Sequence, residues 1–177
     1  MKVSVKEWVK ATENLNHRRQ FNGHNDDNII CENSVRDYKS HLQKIGIGKS
    51  ILDVGCGSQF IRNCIDQNVQ YFGMDAFPIV PDTIESSIED NRLDSRSVDT
   101  VIAFAVLDNS RDFFKACSEM KRIAKKNIGI LTGIDIDVDQ YHTFKLQLSD
   151  FDKAFSDCEC THREEITPKV YLLCFQK

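Results

Sequence analysis

The chain has 177 residues, 41% of them hydrophobic and 28% charged, which suits one globular domain and excludes global disorder. The formal net charge is -4. Residues 1–45 hold eight Lys/Arg against six Asp/Glu, so the rest of the chain is acidic and offers no electrostatic footprint for a nucleic acid.

No stretch approaches the roughly 18 apolar residues of a membrane span, so no membrane association is expected. The opening MKVSVKEWVK has charges throughout and no apolar leader segment. The seven cysteines are odd in number, irregularly spaced and without a CxxC pair, which predicts reduced thiols in a cytoplasmic protein and no metal site.

In chain order, Ser4 and Glu7 form a capping box, and Val5, Trp8, Val9, Thr12 and Leu15 recur at helical spacing, predicting a helix over 5–15. A polar loop follows over 16–30. Val35, Tyr38, Leu42 and Ile45 line a second helix that Gly46 can end. Apolar runs at Ser50–Val54, Tyr71–Met74, Val98–Leu107, Ile128–Ile134 and Lys169–Phe175, with a weaker one at Asp82–Ile88, read as strands buried on both faces. Helical patterns fall between them: one around Ile61, Cys64 and Ile65, one from Phe113 to Ala124 with Ser110 as its cap, and one capped by Ser149. This alternation predicts an α/β fold with a doubly wound, mostly parallel seven-stranded sheet. Cys158–Ile166 and Lys169–Phe175, joined at Thr167-Pro168, predict an antiparallel C-terminal hairpin. One domain is expected over 1–177, with 1–45 a helical extension or lid and 46–177 the core.

The chemistry centres on Ile51-Leu52-Asp53-Val54-Gly55-Cys56-Gly57-Ser58-Gln59, a strand entering a Gly-rich turn, with a helix N-terminus expected to follow. Asp75, 22 residues beyond Asp53, ends the next strand, where a carboxylate can accept from two vicinal hydroxyls. The dinucleotide fingerprint G-x-G-x-x-G fails at Phe60, and no Gly-Lys-Ser/Thr is present for a P-loop. Asp53 would repel a pyrophosphate but suits a ligand bearing an ammonium group.

Ile51–Ser58 resembles motif I of the class I S-adenosylmethionine-dependent methyltransferases, and Phe72–Asp75 resembles their acidic ribose-binding motif. Ser97–Phe104 is similar to the segment opening their fourth strand, and the likeness runs over about residues 45–177, nearest the small-molecule branch called type 11. The resemblance implies S-adenosyl-L-methionine as cofactor. Asp53, Gly55, Cys56 and Gly57 would hold the methionine tail, Asp75 the ribose, and Ala76 with Ser87, Ile88 and Glu89 the adenine. Phe104 and Ala105 would lie near the sulfonium. Gln59 replaces the family's third glycine, Ser87 stands where an Asp is usual, and Asp108-Asn109 replaces Glu-His.

The implied reaction is methyl transfer to an oxygen or nitrogen of a small-molecule acceptor, with Asp108 as candidate base. Arg18, Arg19 and Phe21 are candidate acceptor contacts from a segment folded over the cleft, leaving the cofactor site to the core alone. The alternatives are a catalytically silent cofactor-binding module that serves a protein partner, and another nucleotide-dependent enzyme. No Asn/Asp-Pro-Pro-aromatic motif, Pro-Cys nucleophile or complete Lys-Asp-Lys-Glu tetrad is present, which speaks against nucleic-acid methylation. Asp135, Asp137 and Asp139 read as a solvated acidic edge rather than a cation site.

Overall fold

The computed structural model describes residues 1–11, 35–139 and 142–177. Seven strands form one sheet in the order β3-β2-β1-β4-β5-β7-β6. They are β1 (Ser50–Val54), β2 (Gln70–Asp75), β3 (Ile84–Glu85), β4 (Val98–Phe104), β5 (Ala124–Gly133), β6 (Glu159–Thr167) and β7 (Val170–Gln176). β1 to β5 pair in parallel, and β7 runs antiparallel between β5 and β6. The helices are α1 (described over 5–11), α2 (Tyr38–Ile45), α3 (Phe113–Ile123) and α4 (Leu148–Ala154). Among these described residues no helix is long and apolar enough to cross a membrane.

The absence of alternation in the strands is explained by two covered faces. Leu52, Val54, Val101, Ala103, Ile128 and Ile130 pack beneath α3 and α4. Ile51, Ile102, Phe104, Leu131 and Leu172 pack on the other side against Leu42 and Ile45 of α2 and against Ile61. The Ser4–Glu7 capping box forms, with Glu7 N–H to Ser4 Oγ at 3.2 Å and Ser4 N–H to Glu7 Oε2 at 3.0 Å. Gly46 ends α2 in the left-handed conformation at φ 69°.

Several expected elements differ. The helix after β1 is only a 3-10 turn, Phe60–Cys64, and its preceding residue Gln59 makes no side-chain cap. No helix macrodipole therefore faces the Gly-rich turn. β4 stops at Phe104 rather than Leu107, because Ala105 turns to φ 54° and the chain leaves the sheet. β5 begins four residues earlier than its apolar run, at Ala124, through exposed Lys125 and Lys126. α3 is capped by Asp112, which accepts from Lys115 N–H at 3.3 Å, while Ser110 donates to Leu107 O instead. α4 is capped by Gln147 with Asp150, leaving Ser149 inside the helix. The helix positions 12–15 and the loop 16–30 lie outside the described residues.

α2 approaches the sheet so closely that a Cβ on Gly129 would lie 2.2 Å from Ile45 Cδ1 and 2.6 Å from its Cγ1. Gly129→Ala should overpack this contact and cost about 1–3 kcal/mol. At about 2–4 °C per kcal/mol for a chain of this size, a melting temperature several degrees lower is expected, partly restored by adding Ile45→Val.

Candidate active site at the ends of β1, β2 and β4

The turn after β1 is built on backbone hydrogen bonds to β2. Gly55 N–H and Cys56 N–H both donate to Met74 O, at 2.8 and 3.0 Å. Gly57 N–H donates to Asp75 Oδ2 at 3.0 Å, and Phe77 N–H donates to Asp75 Oδ1 at 2.9 Å. Asp75 is thus clamped by one amide from each flanking loop. Gly55 and Gly57 hold φ of 70° and 50°, which only glycine adopts cheaply. Gln59 takes φ 58° where the family's third glycine stands, and its Nε2 is held by Thr83 Oγ1 at 2.7 Å.

Two pockets meet at this turn and share Gly55 and Ala105. The first is lined by Asp75, Ala76, Ser87, Ile88, Val106 and Asn109, among others. The second is lined by Asp53, Cys56, Gly57, Phe60, Phe104 and, from the α2 region, Arg36 and Tyr38. Tyr38 stacks on Phe104 with ring centroids 5.8 Å apart and meets Phe60 edge-on at 5.8 Å, giving this pocket an aromatic wall. A Cβ on Gly55 would lie 2.4 Å from Val106 Cγ2, so the chain stays bare where the pockets join. Ala105, at the same junction, keeps its left-handed backbone with N–H donated to Leu131 O at 2.7 Å. Strain of this kind in a non-glycine residue persists only where its surroundings fix it, and it gathers at functional sites.

Asp53 is 2% exposed, and Tyr71 donates its hydroxyl to Asp53 Oδ2 at 2.7 Å. Burial pushes the Asp53 carboxyl up to about 7; the Tyr71 hydroxyl pulls against that, and the Asp75 charge adds to it. Burial likewise raises the Cys56 thiol to about 12, so Cys56 is no thiolate nucleophile.

The structure brings Asp53, Gly55, Cys56, Gly57, Asp75, Ala76, Ser87, Ile88, Glu89, Phe104 and Ala105 to the two pockets. Glu89 lines the first pocket and also has a structural role. Its Oε1 accepts from Arg111 N–H at 2.6 Å and Asp112 N–H at 3.1 Å, so it ties its own loop to the start of α3. Asp108 lines neither pocket. Its carboxylate is buried, with Oδ2 lying 3.7 Å from His142 Nε2, because the 3-10 turn Leu107–Asn109 turns it away from the cleft. Arg18, Arg19 and Phe21 lie outside the described residues. Asp135 and Asp137 pair with Lys145, and Asp139 with His142, as befits a solvated edge.

Several pocket residues were not foreseen in this role, Arg36, Tyr38 and Phe60 among them in the second pocket. Trp8 of α1 lines the first pocket, so that pocket is not built from the core alone. Asn109 lines it too, one residue beyond the position expected to act. Trp8 looked like one member of an apolar helix stripe, and nothing in the local pattern separates a stripe that packs on a sheet from one that roofs a cleft.

The raised carboxyl of Asp53 has a thermodynamic consequence. Between its ordinary value near 4 and about 7, the folded protein binds a proton that the unfolded chain releases, so stability falls as pH rises through this window. Asp53→Asn keeps an acceptor for Tyr71 and removes the buried charge. The ligand-free variant should melt above the parent at pH 8, with the difference shrinking toward pH 4; melting curves across that range check it.

A family profile described as a methyltransferase domain matches residues 52–132. No curated protein matches the sequence significantly. Among solved structures, the chain is similar to Burkholderia thailandensis 1,6-didemethyltoxoflavin-N1-methyltransferase, crystallised with 1,6-didemethyltoxoflavin and S-adenosylhomocysteine (TM-score 0.72, 7% identity, 100% of this chain and 92% of that one). It is also similar to a chain from the complex of the Haloferax volcanii Trm112 methyltransferase activator with a methyltransferase (TM-score 0.67, 14% identity, 94% and 96%). A third likeness is to a SAM-dependent methyltransferase from Aquifex aeolicus (TM-score 0.63, 15% identity, 79% and 89%). The β3-β2-β1-β4-β5-β7-β6 sheet, the turn after β1 and these likenesses agree: the chain has the class I S-adenosylmethionine-dependent methyltransferase fold, and residues 52–132 match the methyltransferase-domain profile.

Proposed function

We propose that the protein is an S-adenosylmethionine-dependent methyltransferase acting on an oxygen or nitrogen of a small molecule. The observation that carries this reading is the clamped Asp75 carboxylate, held by Gly57 N–H and Phe77 N–H at the edge of an apolar pocket. Fixed in this way, a carboxylate accepts from a vicinal diol without first having to order itself.

The remaining residues fit the same ligand. Ala76, Ser87 and Ile88 would border the adenine. Asp53, buried and acceptor-only when ionised, would meet the ammonium of the methionine tail beside Cys56 at the Gly55–Gly57 turn. Phe104 and Ala105 would lie where the two pockets join. When bound, S-adenosylmethionine supplies an electrophilic methyl group on a sulfonium.

The acceptor would share the second pocket with the methionine tail, lying against Tyr38, Phe60 and Phe104, with Arg36 also lining the pocket. That wall suits a flat, partly apolar small molecule. With Asp108 turned away and Asp53 committed to the cofactor, the chain's contribution is to position the acceptor and exclude water. Acceptors that need no strong base are therefore favoured. In this reading residues 46–177 form the core, and 1–45 cover the cleft within a single domain. The six described cysteines are free, which fits a reducing, cytoplasmic setting.

The same turning of Asp108 favours a second reading, a cofactor-binding subunit without its own turnover that serves a protein partner. Release of S-adenosylhomocysteine with a panel of small acceptors supports the enzyme, and binding without turnover across the panel supports the subunit.

Calorimetric titration should show binding of S-adenosylhomocysteine and none of NAD. Asp75→Ala should weaken that binding by tens to hundreds of fold, because hydrogen bonds to a charged group are worth about 1.5–3 kcal/mol each. Unchanged affinity in a folded Asp75→Ala protein would remove the ribose assignment.

A further inference from the structure

The N-terminal helix is attached to the rest of the molecule in an unusual way. Residues 1–3 pair with the strand-like approach to α3: Val3 N–H donates to Arg111 O at 3.0 Å, Phe113 N–H donates to Met1 O at 3.2 Å, and Lys2 bridges Asp112. Beyond this anchor, the described turns of α1 bury little. Ala11 is their only buried residue, and Val5 is 57% exposed. What α1 brings to the body is Trp8, which stands at the first pocket together with Asp75, Ser87 and Ile88.

The indole has two ring partners. Its ring lies 5.8 Å from Phe77, which directly follows the Asp75 loop, and the Arg111 guanidinium lies 6.0 Å over it. Arg111 is itself fixed by Asp90 at 2.5 Å. Val54, Ile88 and Leu107 add apolar lining to the pocket. Asn109 lines the same pocket, and its Oδ1 is buried with no partner among the described residues. Its amide is oriented by Nδ2 facing Asp108 Oδ1 at 3.4 Å, so the oxygen is the end that awaits a donor. A flat ring carrying an exocyclic amine, such as adenine, answers both features: a face for the indole and an N–H for the amide oxygen.

We propose that α1 is a lid on the first pocket, hinged at its paired N-terminal residues, and that Trp8 stacks on the adenine while Asn109 accepts from its exocyclic amine. This rests on the reading of the pocket as an adenosine site. The lid contributes to cofactor binding, in contrast to a cover that serves the acceptor alone. Because the described turns of α1 bury little, ligand stacking supplies much of what keeps them closed.

Trp8 is the chain's single tryptophan, so its emission reports the lid without any substitution. Adding S-adenosylhomocysteine to the intact protein should shift or quench that emission and shield it from acrylamide. Trp8→Ala should weaken S-adenosylhomocysteine by roughly ten- to a hundredfold, the range for losing one stacked base, and Trp8→Phe should restore most of it. Asn109→Leu should lower the preference for S-adenosylhomocysteine over its inosine counterpart, whose ring lacks the amine. If calorimetry shows binding while Trp8 emission and acrylamide access stay unchanged and Trp8→Ala binds like the parent, the lid is refuted and the cofactor reading stands. If the intact protein does not bind S-adenosylhomocysteine at all, both fall together.

Discussion

The cleft depends on a single seam, where the chain leaving β1 is bonded to the end of β2. Three successive backbone amides, of Gly55, Cys56 and Gly57, are spent on Met74 O and the Asp75 carboxylate. That seam fixes the turn, orients Asp75 and separates the two pockets. It also dictates residues at a distance. A Cβ at Gly73, on β2, would come within 2.9 Å of Cys56 Sγ and 3.0 Å of Gln59 Nε2, so the strand is bare where the turn folds back over it. With no helix dipole at the turn, individual N–H groups aimed by short-range geometry hold the Asp75 carboxylate.

Much of this could be read from residues. Buried strands declare themselves through unbroken apolar runs, and Ser50–Val54 and Val98–Phe104 need no more than that. Asp53, Gly55, Gly57 and Asp75 could be placed because their chemistry demands particular residue types at strand ends. What failed was local: the helix expected after β1 has Ile61, Cys64 and Ile65 at suitable spacing, yet Gln59 and the sharp turn leave room for one short 3-10 turn. Caps were misread where Ser competes with Asp and Gln nearby, as at Ser110 and Ser149. Asp108 illustrates a deeper limit. Its neighbour Asn109 reaches the pocket and Asp108 does not, a distinction made by one residue of helical rotation that spacing alone does not encode.

The two faces of the sheet divide labour. On one, α3 and α4 carry the large core with Phe113, Phe151 and Phe155 fully enclosed. On the other, α2 packs so tightly over Gly129 that its own aromatic residue, Tyr38, is delivered to the second pocket as a consequence of core packing. The helix thus sets the cleft's shape through the same contact that stabilises the sheet, and changes to its buried side would be felt by whatever the cleft holds.

The outer edge of β2 has a consequence for local unfolding. β3 is two residues long and pairs only with Met74 and Asp75, so Gln70 to Gly73 are held in the sheet from the β1 side alone. Strands of this kind open at lower free energy than those in the middle of a sheet, and their amides exchange with solvent sooner. Here this edge segment leads straight into the carboxylate that orders the cleft. Anything that grips Asp75 must also pin this edge of the sheet, so occupancy of the site and protection of β2 amides are two readings of one equilibrium.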